Sequence, residues 1–268
     1  MKIFQSASCS THSLEKPEFM IFVVVAAASF AAGFINAVAG GGSFLTFPVL
    51  VAAGLPSLAA NASNTVAHFP AQVATGFAAR DGLAKAQADH GINIAILAAI
   101  SFFGAILGGL LLLLTPQAVF SQLVPWLILF ATVVFACGNF FIADAKKFHL
   151  NATGVFIAQG LVAIYGGYFG GGIGILMLAL LTLFGLRDLW LMNSVKILLS
   201  GLMNASATAT FALAGVVHWR WTALVAICAI AGGYTGLHAA RRVKPVVMKG
   251  FVTATGLALT VYFFVRPA

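Results

Sequence analysis

Apolar runs and short polar breaks alternate along this chain, with runs near residues 20–39, 43–55, 58–79, 91–115, 119–142, 152–169, 173–185, 188–214, 222–240 and 246–265. Most have the roughly 20 residues that a membrane-crossing helix needs. The runs at 43–55 and 173–185 are shorter: as helices they would reach about 20 Å, against a hydrocarbon core of about 30 Å. Each follows a triple glycine, Gly40, Gly41 and Gly42 in one case and Gly170, Gly171 and Gly172 in the other. Glycine costs about 1 kcal/mol of helix propensity per residue. Three in a row are therefore better read as a helix interruption than as the small-residue packing common in membrane helices. Half-helices or re-entrant arms are expected after both clusters.

The interrupted stretches are copies of one plan. GFINAVAGGGSFLTFPVLVAAGL (Gly33 to Leu55) corresponds to AIYGGYFGGGIGILMLALLTLFGL (Ala163 to Leu186). An amide-rich apolar segment follows each, SNTVAHFPAQ from Ser63 and NSVKILLSG from Asn193. Unwound backbone survives inside a bilayer only where it lines a cavity or is covered by protein, and repeated broken helices are a hallmark of secondary transporters. The expected fold is an all-α polytopic membrane protein with two inverted-topology repeats of about five hydrophobic segments each. The divisions are a polar extracytoplasmic tail (1–19), a first repeat (20–142), a cytoplasmic linker (143–151) and a second repeat (152–268).

Composition narrows the class further. The chain of 268 residues is 61% hydrophobic and 7% charged, against about 25% charged in an average soluble domain. Its formal charge of +8 is scattered over short loops rather than gathered into a nucleic-acid-binding stripe. Arg80, Lys85, Lys146, Lys147, Arg187, Arg241, Arg242 and Lys244 collect on one side, which the positive-inside rule makes cytoplasmic, with both termini outside. Ala37-Val38-Ala39 imitates a signal-peptidase site, but the apolar run continues into the repeat and is expected to stay. Trp190, Trp219 and Trp221 sit near segment ends, as an interfacial belt requires. Cys9, Cys137 and Cys228 lack metal-ligand spacing and are expected to be packing residues. No nucleotide, cofactor or metal motif is present.

The polar residues of the runs suggest what would be carried. Glu15, Glu18, Asp81, Asp89, Asp144 and Asp188 fall in the tail, in loops or at segment edges, leaving no carboxylate for the membrane interior. Cation carriers normally need one there. Lys196 is the clear intramembrane charge, about 12 Å into its segment, and an anionic substrate would supply its missing partner. The alternative is that it snorkels toward Arg187 and Asp188. Asn193 and Ser194 flank the lysine, and Ser63, Asn64 and Thr65 stand at the mirrored place in the first half. Amides and hydroxyls can replace the water of an oxyanion, and half-helix N-termini after Gly42 and Gly172 would add partial positive charge.

Asn36 precedes the first glycine cluster as Tyr165 and Tyr168 precede the second, where each either touches substrate or bridges helices. His68 shares a helical face with Gln72. It is a candidate proton relay or a neutral interhelical bond. Asn204, Ser206, Thr208 and Thr210, like Gly104, Gly108 and Gly109, fit close helix packing.

The stretches already quoted, with ANASNTVAHFPAQVATGFAARDG, YGGYFGGGIGILMLALLTLFGLRDLWLMNSVKILLSG and the closing GVVHW, resemble the sulfite exporter TauE/SafE family of membrane permeases. The resemblance implies export of sulfite, sulfoacetate or related organosulfonates by a protein of two repeated halves. It carries over Gly40, Gly41, Gly42, Asn64, Gly170, Gly171, Gly172 and Lys196 as motif positions, with Asn193 and Ser194 by adjacency. Thr65 and Val66 follow Asn64 where many relatives carry a lysine, and a one-lysine pocket would favour a monoanion.

The resulting expectation is a non-enzymatic transporter in the inner membrane, with a small anion and the lipid bilayer as partners, no nucleic acid, and homo-oligomerisation left open. The expected substrate-binding set is Asn36, Gly41, Gly42, Ser63, Asn64, Thr65, Gly171, Gly172, Asn193, Ser194 and Lys196. An anion channel for the same substrates is the nearest alternative. A membrane enzyme would need a base and an acid beside Ser200 or Ser206, where only His68 and His238 are on offer. A scaffold is the third class.

Overall fold

The computed structural model describes residues 15–38, 42–90, 93–144, 151–186, 188–239 and 245–265. Within them the chain is helical, with α1 (Glu15–Val38), α2 (Ser43–Ala52), α3 (Ser57–His90), α4 (Ile94–Leu114), α5 (Gln117–Asp144), α6 (Ala152–Tyr168), α7 (Ile173–Leu183), α8 (Leu189–Leu213), α9 (Trp219–Ala239) and α10 (Pro245–Val265). Every apolar run thus becomes one helix. Among the described residues there is no strand. The cationic residues Lys146, Lys147, Arg187, Arg241, Arg242 and Lys244, together with Cys9, Gly40 and Gly41, lie outside the described residues.

The boundaries differ from expectation most in α3, which continues eleven residues past position 79 to His90. Its polar extension, RDGLAKAQADH, is rich in alanine and other strong helix formers, so polarity there marks emergence from the apolar layer rather than the end of the helix. The helices α2 and α7 have 10 and 11 residues. They are therefore only about 15–17 Å long, as short segments after a helix break must be. At the second break the reason is visible: Gly170 and Gly172 both adopt φ +75°, a left-handed conformation that side chains other than glycine rarely take.

Among the described residues, three helices combine the length and apolar character needed to cross a membrane, over Glu18–Ala37, Ile94–Leu114 and Gln117–Val134. Their outward faces are apolar: Phe103 is 67% exposed and Leu114 81%. Similar large side chains, including Ile157, Leu161, Ile227 and Val261, cover the outside of other helices. A surface this apolar suits lipid, not water. Polar side chains are instead drawn inward, with Asn61, Ser63, Asn64, Thr65, His68, Gln159 and Lys196 all buried.

The helices pack as α1 on α9, α4 on α6, α3 on α8 and α5 on α10, with α3 also meeting α9 and α4 also meeting α8. Glycine permits the closest of these approaches. A methyl group added at Gly33 would collide with the Ala229 carbonyl, and one at Gly232 with that of Phe30. Across the α4–α6 seam the same holds for Gly108 against Ile164 and Gly167 against Ala105. The small residues of segment 91–115 therefore serve backbone-to-backbone packing, which in lipid gives much of the association energy. Two buried apolar clusters fill the rest. One is centred on Phe44, Phe47, Phe120 and Phe211, the other on Leu97, Met177, Leu191 and Met203.

Candidate functional site

Where α3 and α8 face each other, beside the starts of α2 and α7, lies a cavity of about 350 Å³. This is within the common range for small-ligand sites, about 300–1,000 Å³. The helix α8 contributes Asn193, Ser194, Lys196, Ile197, Ser200 and Asn204 to it. Lys196, Ser200 and Asn204 follow each other at i, i+4 and i+8, so one stripe of the helix faces inward. From α3 come His68, Ala71 and Gln72, and from α1 Gly33, Asn36 and Ala37. The breaks supply Ser43, Gly170, Ile173 and Gly174. The N-caps of α2 and α7, Gly42 and Gly172, make no side-chain capping bond, leaving both helix starts without side-chain capping acceptors.

Lys196 is 8% exposed and its ammonium has no ion-pair or hydrogen-bond partner among the described residues. The nearest acid in sequence, Asp188, is committed elsewhere: its carboxylate caps α8 by accepting from the amides of Trp190 (2.8 Å) and Leu191 (3.3 Å). Trp190, Ile230 and Tyr234 are the cavity's well-exposed lining residues. The mouth therefore lies toward the first turn of α8 and the second half of α9.

The opposite end is tied shut by polar bonds. The amide of His218, before α9, donates to Ser63 Oγ (2.9 Å), and Asn61 Nδ2 donates to the Tyr168 carbonyl (3.0 Å). Thr46 on α2 donates its hydroxyl hydrogen to Asn64 Oδ1 and lies 3.1 Å from His68 Nε2. With that hydrogen committed, Thr46 Oγ1 can only accept from His68, which fixes the imidazole as the Nε2–H tautomer.

The structure thus gathers Asn36, His68, Asn193, Ser194 and Lys196 around one space and leaves other expected residues outside it. Ser63 holds the α9 entry, Asn64 holds α2, and Thr65 donates to the Asn61 carbonyl (3.0 Å). Gly42, Gly171 and Gly172 shape the breaks beside the cavity without lining it, and Gly41 lies outside the described residues. Tyr165 donates to the Gly171 carbonyl (2.9 Å) and Tyr168 to Thr115 Oγ1 (3.3 Å), so both tyrosines bridge segments. Tyr165→Phe is expected to destabilise the fold by about 0.5–1.5 kcal/mol, as a lower melting temperature.

Ser43, Ser200, Asn204 and Trp190 line the cavity but were not assigned to the site from sequence. Asn204 was assigned to packing, yet its Nδ2 donates to Gln72 Oε1 (2.8 Å) across the α3–α8 interface. The i, i+4, i+8 stripe from Lys196 was the available signal. Its neighbours behave as expected for packing, with Ser206 and Thr210 bonding carbonyls of their own helix. The side chain of His238 lies outside the described residues, and no cluster of potential metal ligands occurs among those described.

Residues 25–263 match the family described as "Sulfite exporter TauE/SafE". Among curated proteins, the chain is 28% identical over 253 residues to "Probable membrane transporter protein ORF9" of Sinorhizobium sp, covering 93% of this chain and 94% of that one. It is 29% identical over 196 residues to "Probable membrane transporter protein YfcA" of Escherichia coli K12, covering 70% and 69%. A "Probable membrane transporter protein" of Haemophilus influenzae is 28% identical over 203 residues, covering 75% and 77%. No solved structure matches.

Proposed function

Because this chain belongs to the sulfite exporter TauE/SafE family and is a membrane transporter, we propose that it exports small sulfur-containing oxyanions, sulfite or organosulfonates, across the cytoplasmic membrane. The observation that carries this reading is Lys196, a buried lysine without a counter-charge, in a cavity bounded by the uncapped starts of two half-helices. An isolated buried ammonium is costly, and an anion seated there would offset that cost. Asn36, Asn193, Ser194 and Ser200 supply amides and hydroxyls around it. His68 remains the candidate proton relay.

Loop charges put the mouth beside Trp190 and Tyr234 on the cytoplasmic side, where an export substrate would enter. An inside-negative potential then favours outward movement of one negative charge by about 2.3 kcal/mol per 100 mV, so no driving cation is needed. The repeat plan supplies the motion: α1–α5 and α6–α10 are two inverted copies that rock about the site. Supporting this, α1 on α9 has its counterpart in α6 on α4, and the close approach of Gly236 to Phe34 has its counterpart in that of Gly108 to Ile164. Opening the far side requires breaking the Ser63–His218 and Asn61–Tyr168 bonds. A carrier, unlike a channel, has its cavity closed at one end in each state.

Counterflow of a labelled sulfonate in proteoliposomes tests the reading. Saturable exchange that depends on Lys196 is expected, and linear, non-exchanging flux would replace the carrier with a channel. Ser63→Ala should leave anion affinity within about twofold, because Ser63 does not line the cavity, while lowering stability by about 1–3 kcal/mol through the orphaned His218 amide.

A further inference from the structure

The polar groups of the cavity are unequally satisfied. His68 Nε2 is committed to Thr46, so its Nδ1 is left as an acceptor, buried and without a partner. Asn204 donates its Nδ2 to Gln72, and its Oδ1 is likewise a buried acceptor without a partner. The two residues belong to facing helices and line the same cavity. Gln72, one turn beyond His68 on α3, places Asn204 alongside the histidine. Buried acceptors left unpaired are unusual in folded proteins and call for an explanation.

Lys196 lies two turns from Asn204 on the same stripe of α8, about 12 Å along the axis. Both side chains lean toward the N-terminus of α8, so the separation of the two ends stays of that order. A single tetrahedral ion cannot meet both ends. Besides Ser200, which lies between them on the stripe, the cavity has apolar lining from Gly33, Ala71, Ile173, Ile197 and Ala229, which suits a short carbon chain rather than a hydrated ion.

Resting on the anion-export reading above, we propose that the carried anion is bipolar in its hydrogen bonding, with an anionic head for Lys196 and a hydroxyl or ammonium donor at its far end for His68 and Asn204. The site then selects hydroxy- or amino-alkylsulfonates of two or three carbons over inorganic sulfite. It also selects against a second carboxylate or sulfonate at the far end, which would meet two acceptors with no hydrogen to give. Such a substrate satisfies every orphaned group of the cavity at once, and neither helix has to rearrange.

Titration calorimetry on the full chain in detergent tests this with 2-hydroxyethanesulfonate and 2-aminoethanesulfonate against propane-1-sulfonate, which has a methyl group in place of the donor, and against sulfoacetate. The donor-bearing ligands are expected to bind about tenfold more tightly than propane-1-sulfonate. Asn204→Leu should abolish that advantage, and His68→Phe should reduce it. The comparison of ligands on the unaltered protein needs no variant to fold. Equal affinity for the hydroxyl and methyl compounds, or tightest binding of sulfoacetate, would overturn the donor assignment while leaving the Lys196 anion site standing. Binding of none of them would overturn the anion-export reading and this inference together.

Discussion

Lys196→Met is expected to abolish anion-dependent behaviour: the parent protein melts at higher temperature with a bound sulfonate, and the variant shows no shift. Losing the charged member of a desolvated pair costs about 2–5 kcal/mol, or roughly thirtyfold to several-thousandfold in affinity. The same substitution is expected to raise the melting temperature of the empty protein. Lys196 is 8% exposed and its ammonium has no counter-charge among the described residues, so its replacement by an apolar side chain of similar length removes a desolvation cost. Opposite signs in the empty and anion-saturated protein separate a site lysine from a snorkelling one. A lysine that reached the surface would leave both measurements unchanged. Lys196→Arg should keep part of the anion response, because the charge persists while the bulkier guanidinium crowds the cavity.

The second large effect concerns the seams. Gly108→Val and Gly232→Val are each expected to prevent recovery of folded protein, since their side chains would occupy the space of the Ile164 and Phe30 carbonyls. Backbone cannot yield as a side-chain tip can. Even the alanine variants should lose about 1–3 kcal/mol, read as a lower melting temperature. Gly201, also within a helix, has open space where a Cβ would stand, and Gly201→Ala should be neutral or stabilising by up to about 1 kcal/mol. If all three alanine variants melt together, the close approaches do not carry the packing assigned to them.

Both effects have the same physical root. In lipid, apolar surface gains nothing by leaving its surroundings, so helices are held by fit and by the few polar groups they enclose. The seams therefore tolerate no added volume, and several of the enclosed polar groups bond one another across them. Ser57, Ser121 and Gln117 satisfy one another between α3 and α5, and Gln159 donates to Ser101 between α4 and α6 (2.7 Å). Asn61 Oδ1, Thr132 Oγ1, Gln159 Oε1 and Thr208 Oγ1 are also buried without a partner, but His68 Nδ1 and Asn204 Oδ1 are the two such atoms whose residues line the cavity, together with Lys196.

Apolar runs alone determined the ten helices of the described residues, and where eight of these lie within a few residues, because the bilayer fixes the length of an uninterrupted segment. They also determined the break at Gly170–Gly172, since triple glycine cannot compete as helix, and the half-length helices that follow both glycine clusters. Lys196 was legible as a candidate because a charge in an apolar run has no inexpensive explanation, and it lines the cavity. What required the tertiary structure was the division of labour among the polar residues. Ser63, Asn64 and Thr65 occupy the mirrored motif yet bond His218, Thr46 and the Asn61 carbonyl, partners 155, 18 and 4 residues away. Asn204 was assigned to packing and instead faces the cavity. Sequence spacing places a side chain on a face of its own helix, but which helix covers that face is set by crossings such as α3 on α8, and only there is it decided whether an amide meets a protein partner or an open space.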